Sequence, residues 1–270
     1  MIAPPFARCL CLLRGGGDLG TGVAWRLAKV GFPVVVVELP KPLTVRRAVS
    51  LSSAVTDGEV EVEGLRGVRA DTGRAMAEAL LAGAVPVMTG VDVADIDPVV
   101  VIDARLAKRN IDTTIMDADL VVALGPGFTA GVDCHAVIET QRGHRLGRAL
   151  WSGAAAPNTG TPGVVGGRGA ERVLRSPSAG IVRWSVEIGS RVVAGQVLGH
   201  VDGQSISAPF AGVVRGLILD GSAVATGLKI GDVDPRLDVA CDEISDKALA
   251  VGGGVLEVVT GWWAGRPEVR

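Results

Sequence analysis

The sequence predicts an α/β protein: a Rossmann-like, mostly parallel sheet followed by a small all-β domain. Three observations predict it. Leu13–Leu39, "LRGGGDLGTGVAWRLAKVGFPVVVVEL", sets a glycine turn between a buried strand and a helical stretch. Short valine-rich runs then alternate with helical segments up to about residue 140, the pattern of strands in an open parallel sheet. Beyond Ser176 the chain repeats itself.

Composition sets the limits. With 270 residues and 48% hydrophobic content, the chain can bury one large core or two ordinary ones. Aromatics are 3% and Tyr is absent, so Val, Leu, Ile and Ala must build the core. The 38 glycines show no period of three, which excludes collagen and implies many tight turns. A formal charge of −2 gives nucleic acid no electrostatic footprint. No apolar run approaches the roughly 20 residues of a membrane span. The apolar N-terminus leads straight into the glycine turn, so a cytoplasmic location is expected. Cys9 and Cys11 read as small apolar fillers of a buried strand.

Residues 8–13 are the first strand, Thr21–Val30 a helix closed by Gly31, and Val34–Glu38 the second strand. Val45–Ser53 reads as a short helix carrying Arg46 and Arg47. Asp57–Val68 alternates as one strand on a solvated face, and Asp71–Leu81 is a helix. Val85–Met88, Val99–Ile102, Leu120–Leu124 and Val137–Glu139 are further strands. The predicted domains are 1–151 (Rossmann-like), a Gly/Pro-rich linker 152–172, a β domain 173–238, and a C-terminal segment 239–270 packing back on the first domain. Its helix is expected over Asp242–Val259. Gly252–Gly254 either interrupts that helix or meets another backbone at close range.

The repeat aligns "SPSAGIVRWSVEIGSRVVAGQVLGHVD" from Ser176 with "APFAGVVRGLILDGSAVATGLKIGDVD" from Ala208. Pro177, Gly180, Arg183, Gly189, Val192, Gly195, Gly199 and Asp202 each recur 32 positions later. Neither half can bury a face alone, so the two are expected to interlock. The pattern resembles the barrel-sandwich fold of biotinyl and lipoyl carrier domains. The bridge Val201–Ile206 holds no lysine, so no covalent biotin or lipoate is expected.

Gly15, Gly17 and Gly20 satisfy G-x-G-x-x-G between a strand and a helix, the turn that brings a pyrophosphate to a helix N-terminus. Glu38 ends the second strand, where a carboxylate accepts from a ribose hydroxyl. Asp18 lies inside the loop and either caps the helix, coordinates a cation or points outward. Arg46 and Arg47 suit a phosphate or carboxylate beside that pocket, or are solvated arginines. Asp103 and Arg105 follow a strand end, with Asn110 in the next loop. Gly125, Gly127 and Thr129 follow another strand end and suggest a second anion cradle. Cys134 and His135 are the candidate catalytic pair, as nucleophile and base; the competing reading is a buried thiol beside a structural imidazole. No metal-ligand spacing is present.

The segments Arg14–Gly22, "ELPKPLTVRRAV", "DGEVEVEG", "DARLAKRNIDTTIMDADLVVALGPGFTAGVDCHAVIETQRGHRLG", "NTGTPG" and "ISDKALAVGGGVLE" resemble the accessory (maturation) proteins of selenium-dependent molybdenum hydroxylases, the YqeB-like family, over nearly the full length. The resemblance implies a role in equipping a molybdenum hydroxylase with its cofactor, by binding it, by helping install a terminal sulfur or selenium, or by acting as a cofactor chaperone. Such a chaperone would bind a molybdopterin dinucleotide or another nucleotide-bearing cofactor and deliver it to a molybdenum hydroxylase apoenzyme. A homo-oligomer is compatible with it. The alternatives are an NAD-dependent oxidoreductase and a non-catalytic nucleotide-binding interaction protein; whether any reaction is catalysed stays open at this point.

Overall fold

β1 (Cys11–Arg14) is short, apolar and buried up to the partly exposed Arg14, and the turn after it feeds α1 (Asp18–Lys29). α1 starts three residues before the predicted Thr21, and Gly31 (φ +96°) follows its end. A computed structural model describes residues 6–160 and 163–266. Residues 1–5 and 267–270 of the predicted end segments, and Thr161 and Pro162 of the predicted linker, lie outside the described residues. The chain forms two units: Met1–Pro42 with Ser50–Asn158 and Ile244–Arg270, and Leu43–Val49 with Thr159–Glu243.

In the first unit, β2 (Val34–Glu38), α2 (Ala54–Asp57), β3 (Glu59–Val62), β4 (Leu65–Arg69), α3 (Gly73–Leu81), β5 (Val85–Thr89), α4 (Val93–Ile96) and β6 (Val100–Asp103) follow in order. β7 (Leu120–Leu124), β8 (Thr129–Ala130), β9 (Ala136–Ile138), β10 (Ala149–Leu150) and β11 (Gly153–Ala154) complete its strands. The main sheet runs β10-β9-β7-β6-β1-β2-β5-β4-β3, parallel from β9 to β4 and antiparallel at both edges. Without the edge hairpin β3–β4, its parallel strands fall in the doubly wound order 3-2-1-4-5-6. This is an α/β fold. Its switch point lies between β1 and β6, where Arg14 pairs with Asp103.

Two predicted elements are corrected. Asp57–Val68 is not one strand: Asp57 ends α2, and β3 and β4 form a hairpin turned at Glu63 and Gly64, both at positive φ as a two-residue turn requires. Val45–Ser53 is two 3-10 turns, Arg47–Val49 and Leu51–Ser53, separated by extended backbone at Ser50. Tertiary partners replace helical ones there: Leu51 N–H donates to Thr21 Oγ1 at 2.9 Å and Ser52 N–H to the Gly16 carbonyl at 2.9 Å.

The last helix, α5 (Asp246–Ala264), begins later than predicted, capped by Ser245, and runs unbroken through Gly252–Gly254. Close backbone approach is the reason. A Cβ on Gly252 would meet the Gly22 carbonyl oxygen of α1 at 2.5 Å, and one on Gly22 would meet Ala248 at 2.7 Å. A Cβ on Gly254 would collide with the Gly147 carbonyl oxygen. No helix is long and apolar enough to cross a membrane among the described residues.

In the second unit, β12 (Val173–Arg175), β13 (Gly180–Trp184), β14 (Arg191–Val192) and β15 (Val197–Val201) correspond by the 32-residue offset to β16 (Gln204–Ser207), β17 (Gly212–Leu217), β18 (Ala223–Val224) and β19 (Lys229–Asp234). The sheets are β12-β19-β17-β14 and β16-β15-β13-β18. Each repeat therefore lends strands to both sheets, in matching register: Gly180 faces Val224 as Gly212 faces Val192. Val182, Leu198, Val214, Leu217, Ile218 and Ile230 fill the space between them.

Replacing Gly252 or Gly254 by Ala is expected to destabilise the protein by about 1–3 kcal/mol through overpacking. Gly253→Ala meets open space and should stabilise by up to about 1 kcal/mol. Denaturant midpoints of the three variants check this.

Candidate functional site

Carboxyl ends of parallel strands collect ligands at a switch point. Here that edge carries the glycine turn after β1 and Asp103–Arg105 after β6. Gly15 adopts φ +105°, and a Cβ on it would meet the Ala104 carbonyl at 3.1 Å. A Cβ on Gly20 would strike the Gly15 carbonyl oxygen, so Gly20 seats α1 on the turn. Gly17 is the N-cap of α1 and, lacking a side chain, makes no side-chain cap bond. Asp18 is the first helical residue, where the dipole favours an acid. Gly15 and Gly16 are buried, while Gly17 and Asp18 are half-buried.

Glu38 reaches back to this turn. Its Oε2 accepts the Gly16 N–H at 2.8 Å and its Oε1 the Leu39 N–H at 2.7 Å. The Gly16 carbonyl accepts from Ser52 N–H and from Thr21 Oγ1. The loop is thus held from the β2 side before any ligand arrives.

On the other side, the groups expected to face a ligand bind each other. Asp103 is 1% exposed. The Arg105 guanidinium donates to both its oxygens, at 2.6 Å from Nη2, and pairs with Asp112 at 2.8 Å. The Thr113 hydroxyl donates to Asp103 at 2.7 Å and accepts from Arg14 at 2.8 Å and Arg105 at 2.9 Å. Arg14 also pairs with Asp112 at 2.7 Å. Burial would lower the Arg105 guanidinium, but hydrogen bonds to Asp103 and Asp112 hold it above its ordinary value. The bond to Arg105 leads the effects that hold Asp112 below the usual carboxylate range. Asn110 donates to the Thr113 carbonyl at 2.7 Å and to Asp133 at 3.2 Å. Asp103, Arg105 and Asn110 therefore act as a scaffold that fixes the 104–119 loop.

The second anion cradle is corrected on similar grounds. The Gly125 N–H donates to the Ile138 carbonyl and the Thr129 N–H to Asp133. A Cβ on Gly127 would strike the Arg109 backbone at 2.5 Å, and one on Gly125 the Thr140 hydroxyl at 2.5 Å. These glycines permit close packing. The catalytic pair is corrected too. Cys134 is fully buried; burial, reinforced by Asp133, pushes its thiol up to about 12. His135 Nδ1 accepts the Val121 N–H at 2.9 Å, and burial lowers the imidazole. Both groups are thus engaged within the fold, the thiol by burial and the imidazole by a backbone hydrogen bond.

Arg46 and Arg47 belong to the second unit. Arg46 donates to the carbonyls of Glu243 (3.3 Å) and Cys241 (3.5 Å), and Arg47 to that of Leu217 (2.9 Å). Their guanidiniums are engaged by that unit's backbone.

Two residues escaped the sequence reading. Arg14 ends an otherwise apolar strand, a signal that was visible. Lys247, in the first turn of α5, sits among the charges of Asp18, Glu139, Arg142 and Asp246 and makes no hydrogen bond to the described residues. Burial, with Arg142 beside it, lowers its ammonium. Only the docking of α5 on α1 brings it there. Among the described residues no cluster of three His, Cys, Asp or Glu side chains could hold a metal ion.

Fold and site define an α/β protein with a glycine turn at the switch point of a mostly parallel sheet. No protein-family model matches the chain. It is 46% identical over 261 residues to the uncharacterized protein YqeB of Escherichia coli K12, a match taking in 94% of this chain and 48% of that protein. The chain thus spans about half the length of the curated relative it matches. This likeness supports the YqeB-like part of the sequence resemblance. Two solved structures are distantly similar. An aspartoacylase family protein of Mesorhizobium loti is 14% identical, over 84% of this chain and 85% of that one, at a TM-score of 0.27. The ectoine utilization protein EutE of Ruegeria pomeroyi is 12% identical, over 83% and 85%, at 0.26. Likeness at that level carries no argument.

Asp103→Asn keeps the shape but leaves Arg105 facing a neutral amide in a buried setting. It should destabilise by about 3 kcal/mol, whereas Asp112→Asn, half exposed, should change stability by less than about 1 kcal/mol. Equilibrium unfolding compares them. In the native protein, Cys134 should react with a thiol reagent at pH 8 about a thousandfold more slowly than a free cysteine peptide, as its thiolate fraction requires. Mass spectrometry of the labelled thiol reads this.

Proposed function

We propose that this chain holds a nucleotide-bearing cofactor, a molybdopterin dinucleotide or a similar molecule, and acts as a cofactor chaperone in maturing a molybdenum hydroxylase. The observation that carries the binding part is the uncapped start of α1 behind Gly15–Gly17 at the switch point of a doubly wound sheet. Half-exposed Gly17 and Asp18 would meet the phosphates. Lys247 would supply the positive charge that offsets Asp18. Each Glu38 oxygen accepts one N–H and keeps a lone pair for a ribose hydroxyl.

The chaperone part rests on the YqeB-like resemblance and on the lack of reaction machinery at this edge, once Cys134 and His135 are taken up structurally. The same engagement of Cys134 and His135 weighs against the NAD-dependent oxidoreductase reading. We read the second unit as a barrel-sandwich domain, supported by the exchange of strands between its repeats. Its bridge Val201–Ile206 lacks a lysine, so the domain suits docking of the apoenzyme and not carriage of biotin or lipoate.

Calorimetric titration of NAD, NADP, FAD, ATP, CTP and molybdopterin cytosine dinucleotide into the protein and into Gly17→Val tests the reading. The dinucleotide is expected to bind, and the variant to bind at least about tenfold more weakly. Tight NAD binding with turnover would sink the chaperone reading. No binding by any of the six would leave a non-catalytic interaction protein.

A further inference from the structure

A cavity of about 460 Å³ opens beside the β9–β10 connection in the first unit. Glu139, 3% exposed, is its floor. Leu150 and the small residues Ala154–Pro157 form one wall, and the exposed stretch 141–145 forms the rim. The volume lies within the roughly 300–1,000 Å³ of small-molecule sites.

The charges in this cavity are unevenly engaged. Glu139 is the one acid of the lining, and its two oxygens accept the N–H groups of Gln141 at 2.6 Å and Ala156 at 2.8 Å. Arg142 is held by Asp246 in a two-pronged pair at 2.7 and 2.9 Å. His144 and Arg145 have no side-chain hydrogen bond or ion pair among the described residues. The rim is preorganised. The Gly147 N–H donates to the Glu139 carbonyl, and Gly147 is pressed against the Ala250 carbonyl of α5.

A planar guanidinium matches the oxygens of a phosphate or carboxylate. A wall of alanines and proline accepts a flat apolar body and offers it no hydrogen bond. We propose that this cavity binds a small aromatic phosphate or carboxylate, with Arg145 and His144 on the anionic group and Leu150 and Ala154–Pro157 against the ring. The proposed contacts include no residue of the glycine turn; Glu139 and Arg142 of the lining share Lys247 as a charged neighbour with Asp18.

The probe is 4-nitrophenyl phosphate, titrated calorimetrically into the full chain beside inorganic phosphate, 4-nitrophenol and 4-nitrobenzoate. The ester or the benzoate should bind at least about tenfold more tightly than either fragment. Arg145→Gln should weaken binding by a similar factor. Ala154→Trp, at an exposed position, should abolish it by filling the cavity. Gly17→Val should leave it unchanged, which separates this site from the glycine turn. Should Ala154→Trp fail to fold, the His144 ring proton signals, expected to shift on titration of the native protein, give a second readout. Equal weak binding of all four probes, unchanged binding in Arg145→Gln, an unmoved His144 signal, or loss of binding in Gly17→Val would each overturn the proposal.

Discussion

The contact on which the first unit depends is backbone against backbone, where α5 crosses α1. Gly22 admits Ala248, Gly252 admits the Gly22 carbonyl, and Gly254 admits that of Gly147. The chain leaves this unit at Asn158 and returns at Ile244, so the crossing closes the unit after a long excursion. It covers the sheet beside β7, β9 and β10. It also sets Lys247 near Asp18 and Asp246 against Arg142. Glycines that weaken an isolated helix by about 1 kcal/mol each are retained because a Cβ would clash at each of these three positions.

The carboxyl edge of the sheet divides by chemistry. One part is backbone: the Gly15–Gly17 turn and the start of α1, steadied by Glu38 and Ser52. The other is a closed network of Arg14, Asp103, Arg105, Asp112 and Thr113, in which charged groups satisfy one another. Such a network replaces the helix that would ordinarily connect β6 to β7, and it holds the 104–119 loop by ion pairs instead of by helical hydrogen bonds. Buried carboxylates and guanidiniums are tolerable only when paired, so residues that looked like ligand contacts are engaged before any ligand can compete.

In the second unit the stabilising device is exchange. β14 of the first repeat completes the sheet of β17 and β19, and β18 of the second completes that of β13 and β15. Neither repeat can close a core alone, because both edge strands of its own sheet come from the other repeat. Turn glycines at matching places, Gly189 with Gly221 and Gly195 with Gly227, all at positive φ, let both halves follow the same path.

The sequence by itself determined the α/β class, the order of most strands, the glycine turn and the repeat, since these follow from local signals: hydrophobic period, glycine spacing and self-similarity. Leu120–Leu124 was legible to the residue. The hairpin at Glu63–Gly64 and the break at Ser50 were not, because alternation alone does not mark a reversal and Leu51 and Ser52 find their partners on α1 and at Gly16. For the site, the sequence located the loops but not the roles. Only the tertiary structure decided that Asp103 faces Arg105, that Cys134 is buried, that Arg46 and Arg47 serve the second unit, and that Lys247 reaches the switch-point edge. A side chain's role depends on which partners folding brings within about 3 Å; some are near neighbours in the chain, as Arg105 is to Asp103, and others lie more than a hundred residues away.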